Sequence, residues 1–160
     1  MRPGIQSRLE PLVVSHGWGE RYSDEASAFI GYHEWQGTRD LSAYLSVPAA
    51  IEFQTQHHWE QQRQRCHDLA SQTRARVDAL TGLRPICPDA PAWFGQMVSV
   101  RLPKEDPTLK DRLYDGFRIE VPIVTWNGQP FIRISFQAYN DQADADALVA
   151  ALGRLLLRTT

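Results

Sequence analysis

Arg118-Ile119-Glu120-Val121-Pro122-Ile123-Val124-Thr125-Trp126-Asn127-Gly128-Gln129-Pro130-Phe131-Ile132-Arg133-Ile134-Ser135-Phe136-Gln137 has the pattern of a β-hairpin with one buried face. Two β-rich runs, 118–126 and 129–137, flank Asn127-Gly128, the dipeptide that most favours a two-residue hairpin turn because both of its residues tolerate positive φ. A two-residue turn fixes register. Trp126 then faces Gln129, Val124 faces Phe131 and Pro122 faces Arg133. Side chains alternate, so Ile119, Val121, Ile123, Ile132, Ile134 and Phe136 share one face. That face is wholly apolar and has to pack on helices. The other face carries Glu120, Pro122, Val124, Phe131, Arg133 and Ser135.

Arg133 thus stands among apolar neighbours, where a cation needs an anionic partner or open solvent. Two readings follow. A cross-strand ion pair with the diagonal Glu120 would satisfy it. Alternatively, the guanidinium is presented to a carboxylate ligand, which it can hold through two parallel hydrogen bonds.

Working outward, Gln96–Leu102 reads as a third strand and Thr108–Asp115 as a short helix. Asn140 or Asp141 caps a final helix to about Leu157, with Asp141, Asp144 and Asp146 near its start and Arg154 and Arg158 near its end, as the helix dipole favours. Upstream, Pro85, Pro88 and Pro91 mark a linker. Before it, Trp59, Gln62, Cys66, Leu69, Thr73, Val77 and Leu80 fall at helical spacing, predicting a helix over 58–80 that Gly82 ends as a left-handed cap. Asp40 or Ser42 should start a helix reaching Phe53, kinked at Pro48 or beginning there. Leu12-Val13-Val14 reads as a short strand, 20–28 as loop, and 29–35 as extended. The fold class is therefore α+β: a small antiparallel sheet of about three strands packed on helices, preceded by a long helical segment.

Composition excludes several functions. The 160 residues suit one domain, with 42% hydrophobic and 22% charged residues. A net charge of −2, with both signs mixed along the chain, offers no attraction for nucleic acid or an anionic membrane. No run approaches the roughly 18 apolar residues of a membrane helix, and no apolar signal region follows Met1-Arg2-Pro3. Cys66 and Cys87 make no disulfide framework, in keeping with a reducing cytoplasm. The five histidines lack metal-ligand spacing with the cysteines, so no metal site is expected. Gln36-Gly37-Thr38-Arg39-Asp40 precedes a helix and reads either as an ordinary capped start or as a phosphate-facing turn. Lys104 and Lys110 are the two lysines, both in polar surroundings unsuited to a Schiff base, which needs a desolvated amine.

Several blocks in order resemble one family. Leu12-Val13-Val14-Ser15-His16-Gly17-Trp18-Gly19 is similar to the stretch after the cofactor lysine in isopenicillin N epimerase-like class V aminotransferases. Glu34-Trp35-Gln36-Gly37-Thr38-Arg39-Asp40-Leu41-Ser42-Ala43-Tyr44-Leu45, with Val47–Phe53, resembles their most recognisable block. Phe94-Gly95-Gln96-Met97, Arg118–Pro122, Trp126-Asn127-Gly128, Arg133-Ile134-Ser135 and Ala138-Tyr139-Asn140 complete the series. The resemblance implies the C-terminal small domain of a fold type I pyridoxal 5'-phosphate (PLP) enzyme, with 1–40 as the end of the large domain and linker and 41–160 as the small domain. It implies that Gly37 and Thr38 meet the cofactor phosphate, Thr38 from the neighbouring subunit of a homodimer. It implies that Arg133 binds the substrate α-carboxylate, which makes the ligand role the expected one. His16, Trp35, Arg39 and Tyr139 would line the pocket.

The family's cofactor-stacking aromatic, its aspartate for the pyridine nitrogen and its Schiff-base lysine are not found in these residues. The expectation is therefore a truncated reading frame or one piece of a split enzyme. It would handle an amino-acid substrate together with a lysine-bearing large domain and would be inactive alone, holding PLP non-covalently. Epimerase, transaminase, lyase and desulfurase chemistry all remain open. The other expectation, of a different class, is a non-catalytic α+β binding or dimerisation domain derived from such an enzyme.

Overall fold

A computed structural model describes residues 3–14, 18, 28–34 and 37–156. The chain divides into two compact units, 1–52 and 53–160. The first contains α1 (Pro3–Gln6), α2 (Ala28–Glu34) and α3 (Ser42–Leu45); α4 (Val47–Gln56) crosses into the second. The second continues with α5 (Trp59–Thr81), β1 (Met97–Arg101), α6 (Leu109–Phe117), β2 (Ile123–Trp126), β3 (Gln129–Ser135) and α7 (Gln142–Leu156).

Two expectations for the first unit are corrected. Leu12-Val13-Val14 is not a strand: it is bend and coil, and all three side chains are exposed. Apolar β-branched residues make a strand only where a neighbouring strand takes up their backbone groups. Residues 29–34 are helical rather than extended. Phe29 and His33, one turn apart, stack with ring centroids 4.1 Å apart, and His33 Nδ1 lies 2.9 Å from the Phe29 carbonyl. Trp18 stacks on Tyr32 at 4.8 Å. The loop reading at 20–28 lies outside the described residues apart from Ala28, the first residue of α2.

The predicted break near Pro48 is present. Ser46 separates α3 from α4, and Pro48 is the second residue of α4, where a missing N–H costs nothing. His58, at φ 50°, separates α4 from α5. Gly82 ends α5 in the left-handed region at φ 68°, its N–H donating to the Asp78 carbonyl at 2.8 Å.

The sheet of the second unit has the order β1-β3-β2, antiparallel throughout. The hairpin register is the predicted one: Trp126 pairs with Gln129 and Val124 with Phe131. Asn127 and Gly128 sit at φ 48° and 71°, the two positive values a type I′ turn needs. The first hairpin strand is shorter than predicted, beginning at Ile123 rather than Arg118. Arg118 is a left-handed cap of α6, and Pro122 has no N–H for the ladder, although its carbonyl still accepts from the Arg133 N–H at 3.0 Å.

One face of the sheet is buried against helices. Val98, Val100, Ile132, Ile134 and Phe136 join Leu69, Ala70 and Val77 of α5, Leu109 and Leu113 of α6, and Leu148, Ala151 and Leu152 of α7 in one core. Each fully buried Val, Leu, Ile or Phe among them contributes roughly 1.5–3 kcal/mol through burial. Asp141 caps α7, its Oδ1 accepting from the N–H groups of Ala143 at 2.8 Å and Asp144 at 3.2 Å. Arg76 of α5 reaches Asp146 of α7 at 2.6 Å.

The proline-rich connection is tied to α5 through Arg74, which is 4% exposed. Its guanidinium donates to the carbonyls of Cys87 and Pro88, pairs with Asp78 at 3.5 Å and lies over the Phe94 ring. Burial pushes the Asp78 carboxyl above its ordinary value, opposed by the charge of Arg74.

Candidate functional site

The outer face of the sheet is set by register. Val98, Val100 and Leu102 point into the core, so Met97, Ser99 and Arg101 point away from it. Ser99 lies directly opposite Arg133, and Arg101 opposite Phe131. Val124, Trp126 and Gln129 complete the surface. Phe131 is 4% exposed although it belongs to this face, whereas Met97, Val124 and Trp126 are exposed.

Arg133 is exposed. Its guanidinium forms no ion pair or hydrogen bond with any described residue, and it does not pair with Glu120. It borders a cavity of about 300 Å³, which Glu120, Pro122 and Ser135 also line. Asn140 and Asp144 close another side, held to each other by the Asn140 amide donating to Asp144 at 3.0 Å. The opening is therefore lined by two cationic residues, Arg118 and Arg133, two acidic ones, Glu120 and Asp144, hydroxyl and amide groups, and apolar wall from Pro122 and Leu148. Such a mixture suits a small zwitterion with a carboxylate at the guanidinium.

The other predicted positions belong to the first unit. Gly37 sits at φ 88° with open space where a Cβ would be, and Thr38 is exposed. The Asp40 carboxylate accepts from the Ser42 N–H at 2.8 Å, which draws its pKa below the ordinary carboxylate value. The first N–H of α3 is thus already engaged by a side chain. Arg39 lies over the Tyr44 ring, 5.0 Å from its centroid. Tyr139 is exposed, while His16 and Trp35 lie outside the described residues. Lys104 and Lys110 are both exposed. Among the described residues, no group of three His, Cys, Asp or Glu side chains is placed to hold a metal ion, and no helix is long and apolar enough to cross a membrane.

Sequence reasoning missed Arg101 and Arg74. Alternation along 97–102 puts Arg101 on the outer side, but joining it to Arg133 requires knowing that β1 pairs with β3. No local signal carries that long-range pairing.

No family model matches the chain. It is 38% identical to isopenicillin N epimerase of Amycolatopsis lactamdurans over 157 residues, covering 92% of this chain and 39% of that protein. The isopenicillin N epimerase of Streptomyces clavuligerus is 32% identical, with 97% and 42% covered. Over most of its length the chain is thus similar to isopenicillin N epimerases and L-cysteine desulfhydrases, PLP-dependent class V aminotransferase-like enzymes. A probable L-cysteine desulfhydrase of Arabidopsis thaliana is 31% identical over 92% of this chain and 33% of that protein. The chain spans about two fifths of the length of its epimerase relatives.

Proposed function

We propose that this chain supplies the substrate-carboxylate receptor of a PLP-dependent, amino-acid-transforming enzyme. The observation that carries this reading is Arg133: exposed, without a partner among the described residues, and at the edge of a polar opening. Its guanidinium holds the α-carboxylate through two hydrogen bonds and so fixes the orientation of Cα. Bound PLP supplies an electron sink for negative charge at Cα. Gly37 and Thr38 fit the phosphate end of such a cofactor: the turn is open on the side a Cβ would fill, and the Thr38 hydroxyl stands in solvent. Covalent attachment does not fit the lysines, since Lys104 and Lys110 are exposed and polar settings do not lower an amine pKa.

The lysine-bearing segment is accordingly a partner of these residues. In this reading 1–40 is the end of the large domain and linker, and 41–160 the small domain. The enzyme is a cytoplasmic homodimer in which Thr38 reaches the phosphate bound by the opposite subunit. The names of the relatives support epimerisation or desulfuration as the outcome.

Reconstitution with the lysine-bearing portion tests the role of Arg133. Arg133→Ala should raise the amino-acid KM by roughly 10- to 100-fold, the loss expected for hydrogen bonds to a charged group, with PLP absorbance unchanged. An unchanged KM removes Arg133 from the site.

A second reading, a non-catalytic binding or dimerisation domain, is favoured by exposed apolar residues on α3 and α4, including Tyr44, Leu45, Val47 and Ile51. It predicts a stable dimer of the chain alone and no turnover after reconstitution.

A further inference from the structure

The outer face of the sheet holds a second arginine that neither the epimerase likeness nor the sequence reading assigns. Arg101 is half-buried, and its Nε is sequestered from solvent with no hydrogen-bond partner. Its guanidinium pairs with no described acid. The acids that follow it in the chain are engaged elsewhere: Glu105 accepts from the Thr125 hydroxyl at 3.3 Å, and Asp106 binds Thr108 and Arg112. Arg101 is diagonal to Arg133 across β1 and β3, a separation of about 7–8 Å. Ser99, opposite Arg133 and two residues before Arg101, neighbours both on this face. Glu120 and Asp144, the acids that line the opening beside Arg133, pair with neither arginine.

Two like charges on one face, neither paired with a described acid, are an unfavourable arrangement unless an anion lies against them. Arg101 also has a covering role, since its opposite residue, Phe131, is buried. Packing by the aliphatic stem, however, needs no guanidinium.

We infer that Arg101 is a second carboxylate receptor beside Arg133, so that the amino acid taken by this site carries another acidic group at the end of its side chain. The inference rests on the α-carboxylate reading of Arg133. One carboxylate lies on Arg133, the second on Arg101, and Ser99 offers its hydroxyl between them. Arg101 thereby sets specificity by chain length and charge rather than taking part in the reaction.

The test follows the arginine Nε–H resonances of the purified 160-residue chain by NMR, assigned through Arg101→Lys and Arg133→Lys. Acetate, glutarate and inorganic phosphate are titrated in turn. Glutarate should shift both resonances and bind about two- to fivefold tighter than acetate, as one further exposed ion pair allows. Arg101→Gln should bring glutarate down to the affinity of acetate while the Arg133 resonance still responds. A silent Arg101 with a responding Arg133 overturns the second receptor and leaves the α-carboxylate reading standing. A responding Arg101 with a silent Arg133 overturns that reading instead. Phosphate moving Arg101 where glutarate does not overturns the carboxylate assignment. Amide dispersion of the Arg101→Gln spectrum separates loss of binding from loss of fold.

Discussion

Two arginines in this chain have opposite surroundings, and the contrast assigns their work. Arg74 is enclosed: two carbonyls, the Asp78 carboxylate and the Phe94 ring take up its guanidinium. It pins the segment around Cys87 and Pro88 to α5. Removing the charge leaves Asp78 and two carbonyls without their partner, so Arg74→Ala should destabilise the chain by about 3 kcal/mol, read from urea unfolding. A change within 0.5 kcal/mol would mean that the clamp adds nothing. Arg133 is the opposite case: exposed, unpaired among the described residues, and therefore available. Its face was legible from the alternation around Asn127-Gly128. The choice between Glu120 and a ligand was not, because a register gives diagonal proximity and not a hydrogen bond. The burial of Arg74 was not legible either, since its partners lie in an irregular segment with no periodicity.

At the scale of elements, the hairpin is the piece that local chemistry dictates most completely. Two residues at positive φ, with apolar alternation on either side, leave one register open. Gly128 has nothing within 4 Å of the position a Cβ would take, so a side chain there meets strain alone. Gly128→Ala should cost about 1–2 kcal/mol, measured by thermal or denaturant unfolding, with the sheet and its outer face retained. An unchanged stability would contradict the turn geometry. The helix over α5 was equally legible, with its stripe and left-handed Gly82 cap. The errors fell where pattern and context compete. Leu12-Val13-Val14 has strand composition but no neighbouring strand among the described residues, and α2 is rich in aromatics that suit strands until Phe29 and His33 stack one turn apart. Residues 118–122 read as strand but are held by the cap at Arg118 and by Pro122.

Across the whole molecule, the second unit has a continuous core of sheet and helices, whereas the described helices of 1–52 contain no fully buried side chain. Leu41, Tyr44, Leu45, Val47 and Ile51 stand exposed in a stretch that is part of the match to relatives more than twice as long. The second unit thus presents arginines from a sheet backed by its own core, whereas the apolar residues named in α3 and α4 stand exposed. The presentation from β1 and β3 matters because strands hold a guanidinium to a defined direction more tightly than a loop does.

The central claim is that Arg133 recognises a carboxylate. The most direct measurement is the ratio of kcat/KM for the amino-acid substrate to that for its carboxamide in the reconstituted enzyme, wild type against Arg133→Gln. Strong preference for the acid is expected in the wild type, with the ratio falling toward one in the variant. An acid preference of the same size in both proteins would contradict it.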